Sequence, residues 1–260
     1  MTQQPTLKFQ KDTDLAILTF NRPEAHNAVD TETATAALAA VRELQNDAEV
    51  QVVIITGAGK AFISGADIAE MRTKTPTQAR VYSELGHTLV RTIGQLDRPV
   101  IAAINGFCFG GGMEIALAAD IRIASERARF GLPETILGVT PGWGALPRVT
   151  HLSGMSVTKE LVFTGDKIDA RRALELGLIN RVTSPDELMP LTLAMADKIR
   201  RRSRFAMARA KEVIDASIDR ALPDACAMET EAFVACFETG DQREGMQAFL
   251  EKRGPRFRTP

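Results

Sequence analysis

The first sixty residues alternate between a strand-like and a helix-like pattern of apolar positions. Residues 7–9 and 15–20 are apolar-rich segments on either side of the turn-like residues 11–14, which predicts a β-hairpin. An Ala- and Leu-rich pattern with helical spacing then runs over residues 31–44, and Asp30 is placed to cap it. The chain is therefore predicted to open with a hairpin followed by a helix.

Apolar runs and helical patterns alternate through the middle of the chain. Residues 51–56 and 99–104 are continuous apolar runs typical of buried strands, and residues 76–96 between them have helical spacing. After a glycine-rich turn at 106–112, residues 113–119 are small and apolar on every side, which predicts a short helix inside the protein. A strand is expected at 120–124, and a mostly helical pattern from about 157 is broken at Gly165, Gly177, Pro185, Pro223 and Gly240. Strands alternating with helices to about residue 183, then helices alone, predict an α/β protein with a helical C-terminal part.

Composition narrows the class of protein without identifying it. The 260 residues include 32 Lys and Arg and 33 Asp and Glu, so the net charge of −1 argues against binding of long nucleic acids or anionic membranes. The cysteines, Cys108, Cys226 and Cys236, are odd in number and lack metal-binding spacing, which favours a reducing compartment. With neither a leader-like nor a membrane-spanning segment in sight, we expect a cytoplasmic protein.

The sequence does not contain a complete phosphate-loop, dinucleotide-binding or metal-binding motif. The stretch Gly57–Lys60 lacks the first glycine and the final hydroxyl residue of a phosphate loop, and Gly110–Gly112 lacks the third glycine of a dinucleotide fingerprint. His26, His87 and His151 are too scattered to suggest a metal site, so no metal is expected.

Glu114 is the most informative single residue. It begins a run with no other charge, and a buried carboxylate must be paired, hydrogen-bonded or protonated, as catalytic carboxylates often are. The alternative is a structural carboxylate stabilised by a helix dipole. The N–H groups of residues 110–112 could likewise stabilise an oxyanion or merely form a tight turn. Glu134, which follows Pro133, carries little weight alone.

Several ordered motifs together resemble the crotonase (enoyl-CoA hydratase/isomerase) superfamily, and most closely its enoyl-CoA hydratases. The resemblance covers nearly the whole chain. Its matching pieces are Asn21-Arg22-Pro23, Ile55-Thr56-Gly57, Phe62-x-x-Gly65-Ala66-Asp67-Ile68, Pro99 to Gly106, Gly110-Gly-Gly-Met-Glu114, Phe130-Gly131-x-Pro133-Glu134, Leu161 to Gly165 and Arg243 to Arg253.

The resemblance implies a fold and an assembly. Residues 1–195 would form a crotonase-like spiral of ββα turns that carries the CoA and catalytic site. Residues 196–260 would form a helical region that builds homotrimers, often paired into hexamers, and contributes CoA contacts.

The resemblance also implies the hydration of 2-enoyl-CoA thioesters to 3-hydroxyacyl-CoA, in fatty-acid or related acyl-CoA breakdown. Ala66 and Gly111 would donate the two backbone N–H groups of the oxyanion hole, and Glu114 and Glu134 would be the catalytic carboxylates. Gly142 would hold the water through its N–H. No cofactor is expected, because CoA is part of the substrate thioester.

Contacts to CoA are implied at two places in the sequence. The loop carrying Ser64, Ala66, Asp67 and Ile68 would wrap the adenine portion, and Phe249 and Lys252 would reach the CoA of a neighbouring subunit. Ala69 departs from the family, which commonly has a basic residue there, and this removes one expected phosphate contact.

Aromatic residues near the expected site leave the acyl substrate open. Trp143, in a segment that replaces a smaller family loop, could roof the acyl pocket or simply pack within the loop. Phe107 and Phe109 could narrow the pocket or belong to the core. An enoyl-CoA isomerase, or a hydratase for branched or aromatic acyl chains, is the alternative enzyme.

A non-catalytic CoA- or RNA-binding protein is the alternative of another class. The stretch 198–211 carries seven basic residues and no acidic one. A solvated helix face or a subunit contact is the simpler interpretation of this stretch, and the presence of both glutamates argues against an inactive protein.

Overall fold

The computed structural model describes residues 5–257. The antiparallel pair β1 (Leu7–Asp12) and β2 (Leu15–Phe20) confirms the predicted hairpin. The next helix, α1 (Thr31–Gln45), begins as expected, because the Asp30 carboxylate accepts a hydrogen bond from the Thr33 N–H at 2.7 Å.

The middle of the chain repeats a strand–strand–helix unit. The successive units are β3 (Val52–Gly57), β4 (Ala61–Ile63) and α3 (Pro76–Gly94); then β5 (Val100–Ile104), β6 (Phe107–Phe109) and α4 (Gly111–Ala118); then β7 (Ile121–Ser125), β8 (Arg129–Gly131) and α5 (Ala145–Thr164). The short helix α2 (Ile68–Met71) lies between β4 and α3. Each unit contributes its first strand to one sheet and its second strand to another, so the chain advances as a spiral of ββα turns, as expected.

Two sheets result from this repeat. The larger has six strands in the order β1-β2-β3-β5-β7-β10, where β10 is Arg181–Thr183, and all its pairs after the initial hairpin are parallel. The smaller joins β4, β6 and β8, which pair in parallel, to the antiparallel β9 (Ile168–Asp169).

Alternate residues of the central strands enter two apolar clusters. Val53 and Ile55 of β3 belong to the larger cluster, together with α1, α3 and α4, while Val52 and Ile54 belong to a smaller one with α7 (Leu188–Ile199). Both faces of the sheet are thus covered, which explains why these strands are apolar throughout instead of alternating.

The sequence missed the smaller sheet and misplaced one helix. Strand β6 lies within the glycine-rich turn expected at 106–112, and no strand was expected at β4, because three-residue strands are too short to display alternation. The helix expected from about 157 begins at Ala145 and contains a break at Gly154 (φ 85°, ψ 163°). Pro147 falls in its first turn, where proline is tolerated.

The C-terminal part is helical, as predicted. It follows α6 (Ala170–Glu175) and α7, and consists of α8 (Arg204–Ser217), α9 (Leu222–Glu238) and α10 (Gly240–Leu250). Helix α8 is tied to the spiral by two ion pairs, Arg204 to Asp97 at 2.7 Å and Lys211 to Asp120 at 2.9 Å.

The basic stretch 198–211 is largely neutralised within the chain. Arg204 and Lys211 are paired as described, Arg200 pairs with Asp14 at 2.8 Å, and Arg209 pairs with Glu212 at 2.9 Å. These contacts fit a structural helix face better than a surface for a polyanion.

Within the part of the chain that the structure describes, no helix is long and apolar enough to cross a membrane.

Candidate active site

Three loops far apart in sequence meet around Gly110. A Cβ atom placed on Gly110 would lie 2.9 Å from Glu134 Oε1 and 3.8 Å from the Gly65 Cα atom. The first loop follows β4, the second leads from β6 into α4, and the third follows β8, so the smaller sheet aligns all three. The sequence predicted the residues of these loops but not that they meet.

The turn into α4 requires glycine. Gly110 has φ 49° and ψ −122°, a conformation that residues with a side chain rarely adopt, and its N–H donates to the Gly131 carbonyl at 3.1 Å. Gly111 is the first residue of α4, so its N–H has no acceptor within the helix and lies at the positive end of the helix dipole. An oxyanion is the kind of group such an N–H stabilises.

The backbone N–H of Ala66 points away from Val29, with which Ala66 forms an isolated parallel β-bridge. The Val29 N–H donates to the Gly65 carbonyl at 2.8 Å, and the Asp67 N–H donates to the Val29 carbonyl at 2.9 Å. In such a parallel bridge, the residue between the bonded carbonyl and the bonded N–H, here Ala66, directs its own N–H to the opposite side of the strand. The N–H groups of Ala66 and Gly111 are therefore not used by the bonds that position their loops.

Glu114 lies in the first turn of α4, and its residue is only 2% exposed. Its Oε1 accepts hydrogen bonds from the backbone N–H groups of Trp143, at 2.7 Å, and Ala145, at 3.0 Å. Burial raises the pKa of this carboxyl, and the two hydrogen bonds and the Arg148 cation offset only part of that effect. Two donors at the start of another helix, α5, thus hold the carboxylate.

Glu134 has a less supported carboxylate. It lies in the short 3-10 helix Pro133–Leu137, with Oε1 facing Gly110. Its Oε2 is buried without a hydrogen-bond partner among residues 5–257. The pKa of Glu134 is raised to about 7, chiefly by burial and also by the negative charge of Glu114, against a backbone hydrogen bond that lowers it. The two carboxylates are therefore close enough to influence each other.

Gly142 immediately precedes the segment that holds Glu114. Its carbonyl accepts a hydrogen bond from the Ser83 hydroxyl of α3 at 2.7 Å, which fixes the peptide chain just before Trp143. Its predicted role in holding a water stays a prediction.

The sequence missed the partners of Glu114. Backbone donors carry no side-chain signature, so nothing in the sequence indicated Trp143 and Ala145. Arg148, one turn into α5, was also missed, although burial lowers the pKa of its guanidinium and the Glu114 charge raises it. An arginine shortly after a glycine-rich segment was the only available signal.

The first loop expected to contact CoA is rigidly built. The Asp67 carboxylate caps α2 by accepting from the N–H groups of Ala69, at 3.0 Å, and Glu70, at 3.3 Å, and it pairs with Arg22 at 3.0 Å. The Ser64 N–H donates to the His26 carbonyl at 3.1 Å, and Ile68 begins α2 with nearly half of its surface exposed. All four residues predicted here thus lie on one anchored loop, beside Gly110.

The structure does not bring the other predicted CoA contacts to this site within one chain. Phe249 lies near the end of α10 and is 82% exposed, and Lys252 follows the helix with φ 55°. Among the residues described, no hydrogen bond or ion pair joins either side chain to the three loops. Their predicted role in a neighbouring subunit remains a prediction.

The aromatic residues divide between core and surface. Trp143 is buried, and Phe109 is also nearly buried, whereas Phe107 is partly exposed and stacks on Phe109 at 5.6 Å between ring centroids.

Within residues 5–257, no three His, Cys, Asp or Glu side chains are grouped so that they could hold a metal ion. The chemistry available to the site is thus that of two carboxylates with perturbed pKa values beside two backbone N–H donors.

The chain is similar to known proteins over nearly its whole length. The sequence model of the enoyl-CoA hydratase/isomerase family matches residues 10–260. A short-chain-enoyl-CoA hydratase of Clostridium acetobutylicum is 44% identical over 245 residues, which is 94% of each chain. A crotonyl-CoA hydratase of Syntrophomonas wolfei is 43% identical over 253 residues, covering 95% of this chain and 96% of the other.

Solved structures agree with the sequence relatives. The crystal structure of an enoyl-CoA hydratase from Bacillus anthracis superimposes with a TM-score of 0.95 at 35% identity, covering 98% of this chain and all of the other. Since the family's sequence pattern, full-length relatives and fold all coincide, the chain belongs to the enoyl-CoA hydratase/isomerase family.

Proposed function

We propose that this protein is an enoyl-CoA hydratase that adds water to the double bond of short-chain 2-enoyl-CoA thioesters and forms 3-hydroxyacyl-CoA. The observation that carries the proposal is the pair of carboxylates at one site, from the buried Glu114 and the half-buried Glu134, both with raised pKa values. Relatives named short-chain-enoyl-CoA and crotonyl-CoA hydratases support the reaction and the short acyl chain. In this proposal the hydration is a step of fatty-acid or related acyl-CoA breakdown.

The N–H groups of Ala66 and Gly111 bind the thioester oxygen. When water attacks the β-carbon, negative charge moves onto this oxygen as an enolate, and donors already oriented toward it stabilise that charge without reorganising. Each such donor contributes on the order of 10²–10³ in rate in comparable sites. The dipole of α4 adds to the effect at Gly111.

The two glutamates divide the proton transfers. Glu114, whose carboxylate accepts two N–H bonds, is better suited to be ionised and takes a proton from the water. Glu134, whose Oε2 has no donor among residues 5–257 and whose pKa is about 7, carries the proton that passes to the α-carbon. The water oxygen bonds to the β-carbon, and transfer of one proton between the carboxylates restores the starting state. Gly142 orients the water through its N–H.

Hydration accounts for the site better than isomerisation does. Moving a double bond needs one group that removes a proton and returns it at another carbon, whereas adding water needs both a base for the water and an acid for the α-carbon. A second carboxylate with a raised pKa is an unnecessary cost for an isomerase. Glu114 and Glu134 together therefore favour the hydratase.

CoA binding involves the anchored loop and a neighbouring subunit. Ser64, Asp67 and Ile68 contact the adenine end together with Ala66, and Phe249 and Lys252 reach the CoA of an adjacent chain in a homotrimer or a dimer of trimers. The assembly is supported by large apolar side chains exposed on the C-terminal helices, namely Leu222, Phe233, Val234, Phe237, Met246, Phe249 and Leu250. The free thiols of all three cysteines fit a cytoplasmic location.

A spectrophotometric assay tests the function. Crotonyl-CoA mixed with the protein should lose the absorbance of its conjugated thioester, and 3-hydroxybutyryl-CoA should appear in equal amount. An isomerase would instead create that absorbance from a 3-enoyl-CoA ester. Absence of hydration for every 2-enoyl-CoA ester supplied would refute the proposal.

A further inference from the structure

The indole of Trp143 fills a space between α3 and α4 that two glycines leave open. The residue is 3% exposed. A Cβ atom on Gly86 of α3 would lie 2.0 Å from indole Nε1 and Cε2, and one on Gly111 of α4 would lie 3.1 Å from Cζ3. The ring therefore occupies volume that an alanine at Gly86 would already invade.

This volume adjoins the reacting centre. Gly111 provides a proposed oxyanion donor, and the N–H of Trp143 itself donates to Glu114 at 2.7 Å. With the thioester oxygen at Gly111 and the double bond near Glu114, the carbons beyond the β-carbon must find room among the same groups. On the side of α3 and α4 the indole has already taken that room.

The indole is held too firmly to move aside. Tyr82 packs against it with ring centroids 5.2 Å apart, and the Tyr82 hydroxyl donates to the Val29 carbonyl at 2.6 Å. Behind the ring, Gly86 is in contact, and the Trp143 backbone is tied to Glu114. A ring restrained on these sides is a fixed wall and not a movable gate.

We propose that the indole of Trp143 is the end wall of the acyl pocket and restricts the enzyme to 2-enoyl chains of about crotonyl size. This inference rests on the proposed function and names its specificity-determining residue. A pocket of fixed depth gives no binding energy to additional methylenes and rejects them sterically, and one methylene in such a pocket typically changes specificity by about 10–200-fold. Trp143 touches the site through its side chain and orients Glu114 through its backbone, so substitution of the side chain separates the two roles.

The test compares kcat/KM for crotonyl-CoA, trans-2-hexenoyl-CoA and trans-2-decenoyl-CoA. The wild type should prefer crotonyl-CoA over decenoyl-CoA by a factor of ten or more. Trp143→Ala should raise the decenoyl-to-crotonyl ratio at least tenfold, whereas Trp143→Phe, which keeps an aromatic wall, should stay close to the wild type. A wild type that hydrates all three esters equally, or an unchanged ratio in a folded Trp143→Ala, would overturn the inference while leaving the hydratase assignment intact. Failure of the wild type on every ester would overturn both.

A measurement on the wild type covers the case in which Trp143→Ala does not fold. Butyryl-CoA and decanoyl-CoA, which have no double bond to hydrate, are compared as competitive inhibitors. The inference expects decanoyl-CoA to inhibit no more tightly than butyryl-CoA. Tighter inhibition by decanoyl-CoA, by tenfold or more, would show an open channel and contradict the wall.

A glycine pair on α3 gives a matched control. Gly86→Ala should push against the indole and lower kcat/KM for crotonyl-CoA, and it should be tolerated when combined with Trp143→Ala. Gly94→Ala, on the same helix, meets its nearest atom outside the helix, the Ala118 carbonyl oxygen, only at 3.8 Å and should change neither rate nor preference. An equal loss in both glycine variants would contradict contact with the ring as the cause.

Discussion

The surroundings of Glu114 and Glu134 differ although both carboxyls lie in one site and burial raises both pKa values. Two backbone N–H groups from the start of α5 hold Glu114, so its carboxylate also fastens the loop before that helix to α4. Glu134 lies on a short 3-10 helix with an unpartnered buried oxygen. The Glu114 carboxylate thus helps to hold the fold together, whereas the Glu134 carboxylate is placed in the site at a cost in stability.

This difference shows how one residue type performs two proton transfers. Two backbone donors stabilise the ionised form of Glu114, whereas Oε2 of Glu134 is buried without a donor among residues 5–257, which favours the protonated form near neutral pH. The chain therefore sets the two roles through backbone geometry. Substitutions that remove a hydrogen-bond donor, a charge or a loop anchor should therefore affect Glu114 and Glu134 unequally.

The largest effect is expected on turnover. Glu114→Gln and Glu134→Gln should each lower kcat/KM for crotonyl-CoA by about 10²–10⁴-fold, because each removes one of the two proton transfers. Glutamine at 114 can still accept the two backbone bonds, so the fold and butyryl-CoA binding should be kept. Glu126→Gln, at an exposed turn, is the control and should be near wild type. Near-normal turnover in either glutamate variant would sink the assigned roles.

Substitution of Glu114 and substitution of Glu134 should change the free energy of unfolding in opposite directions. Glu114→Ala leaves two buried N–H groups without an acceptor and should lower the free energy of unfolding by about 2–4 kcal/mol. Folding raises the pKa of Glu134 from 4.5 to about 7, so its contribution to stability is lost as pH rises through that interval. Glu134→Gln should therefore raise the free energy of unfolding at pH 8 by about 1–3 kcal/mol.

Urea denaturation of the three proteins at pH 8 and pH 5 measures both effects. The gain from Glu134→Gln should shrink at pH 5, where the folded carboxyl is already protonated. A loss of stability in both variants at pH 8 would show that the two environments are equivalent after all.

The pH dependence of catalysis should report the shared proton. The singly protonated pair is the active form, so kcat/KM for crotonyl-CoA should fall by up to tenfold per pH unit above about 7 as that proton leaves. Dissociation constants for butyryl-CoA over the same range separate this effect from titration of the CoA phosphate. A rate constant that is flat from pH 6 to pH 9 would contradict the proton arrangement.

The smallest effect is expected at the loop that presents Ala66. Asp67→Ala removes the cap of α2 and the ion pair with Arg22 and should cost about 1–2 kcal/mol of stability with a several-fold loss of kcat. Asp67→Asn keeps the cap but loses the charge and should fall between the alanine variant and the wild type. Thermal unfolding and crotonyl-CoA kinetics measure both, and equal behaviour of the two variants would assign the whole effect to the ion pair.

How far the sequence predicts the site depends on the kind of contact involved. Gly110 and Glu114 were identifiable because a glycine-rich turn and a lone charge in an apolar run are unusual, whereas Glu134 was indicated only by the family resemblance. The acceptor role of Glu114 toward Trp143 and Ala145 was not, since backbone N–H groups look alike in every sequence. Trp143 itself was conspicuous, but its place against Gly86 and Gly111 was not.

The sequence by itself determined the hairpin, the buried strands, α1, α3 and α4, because these elements are long enough to show either the period of their apolar residues or an unbroken apolar run. Only the tertiary structure decided the second sheet, whose strands of two or three residues hold the three site loops together. It also decided the environments of the two glutamates and the position of the indole. Such features depend on contacts between residues far apart in the chain, and their energies come from burial and hydrogen bonding that no local pattern encodes.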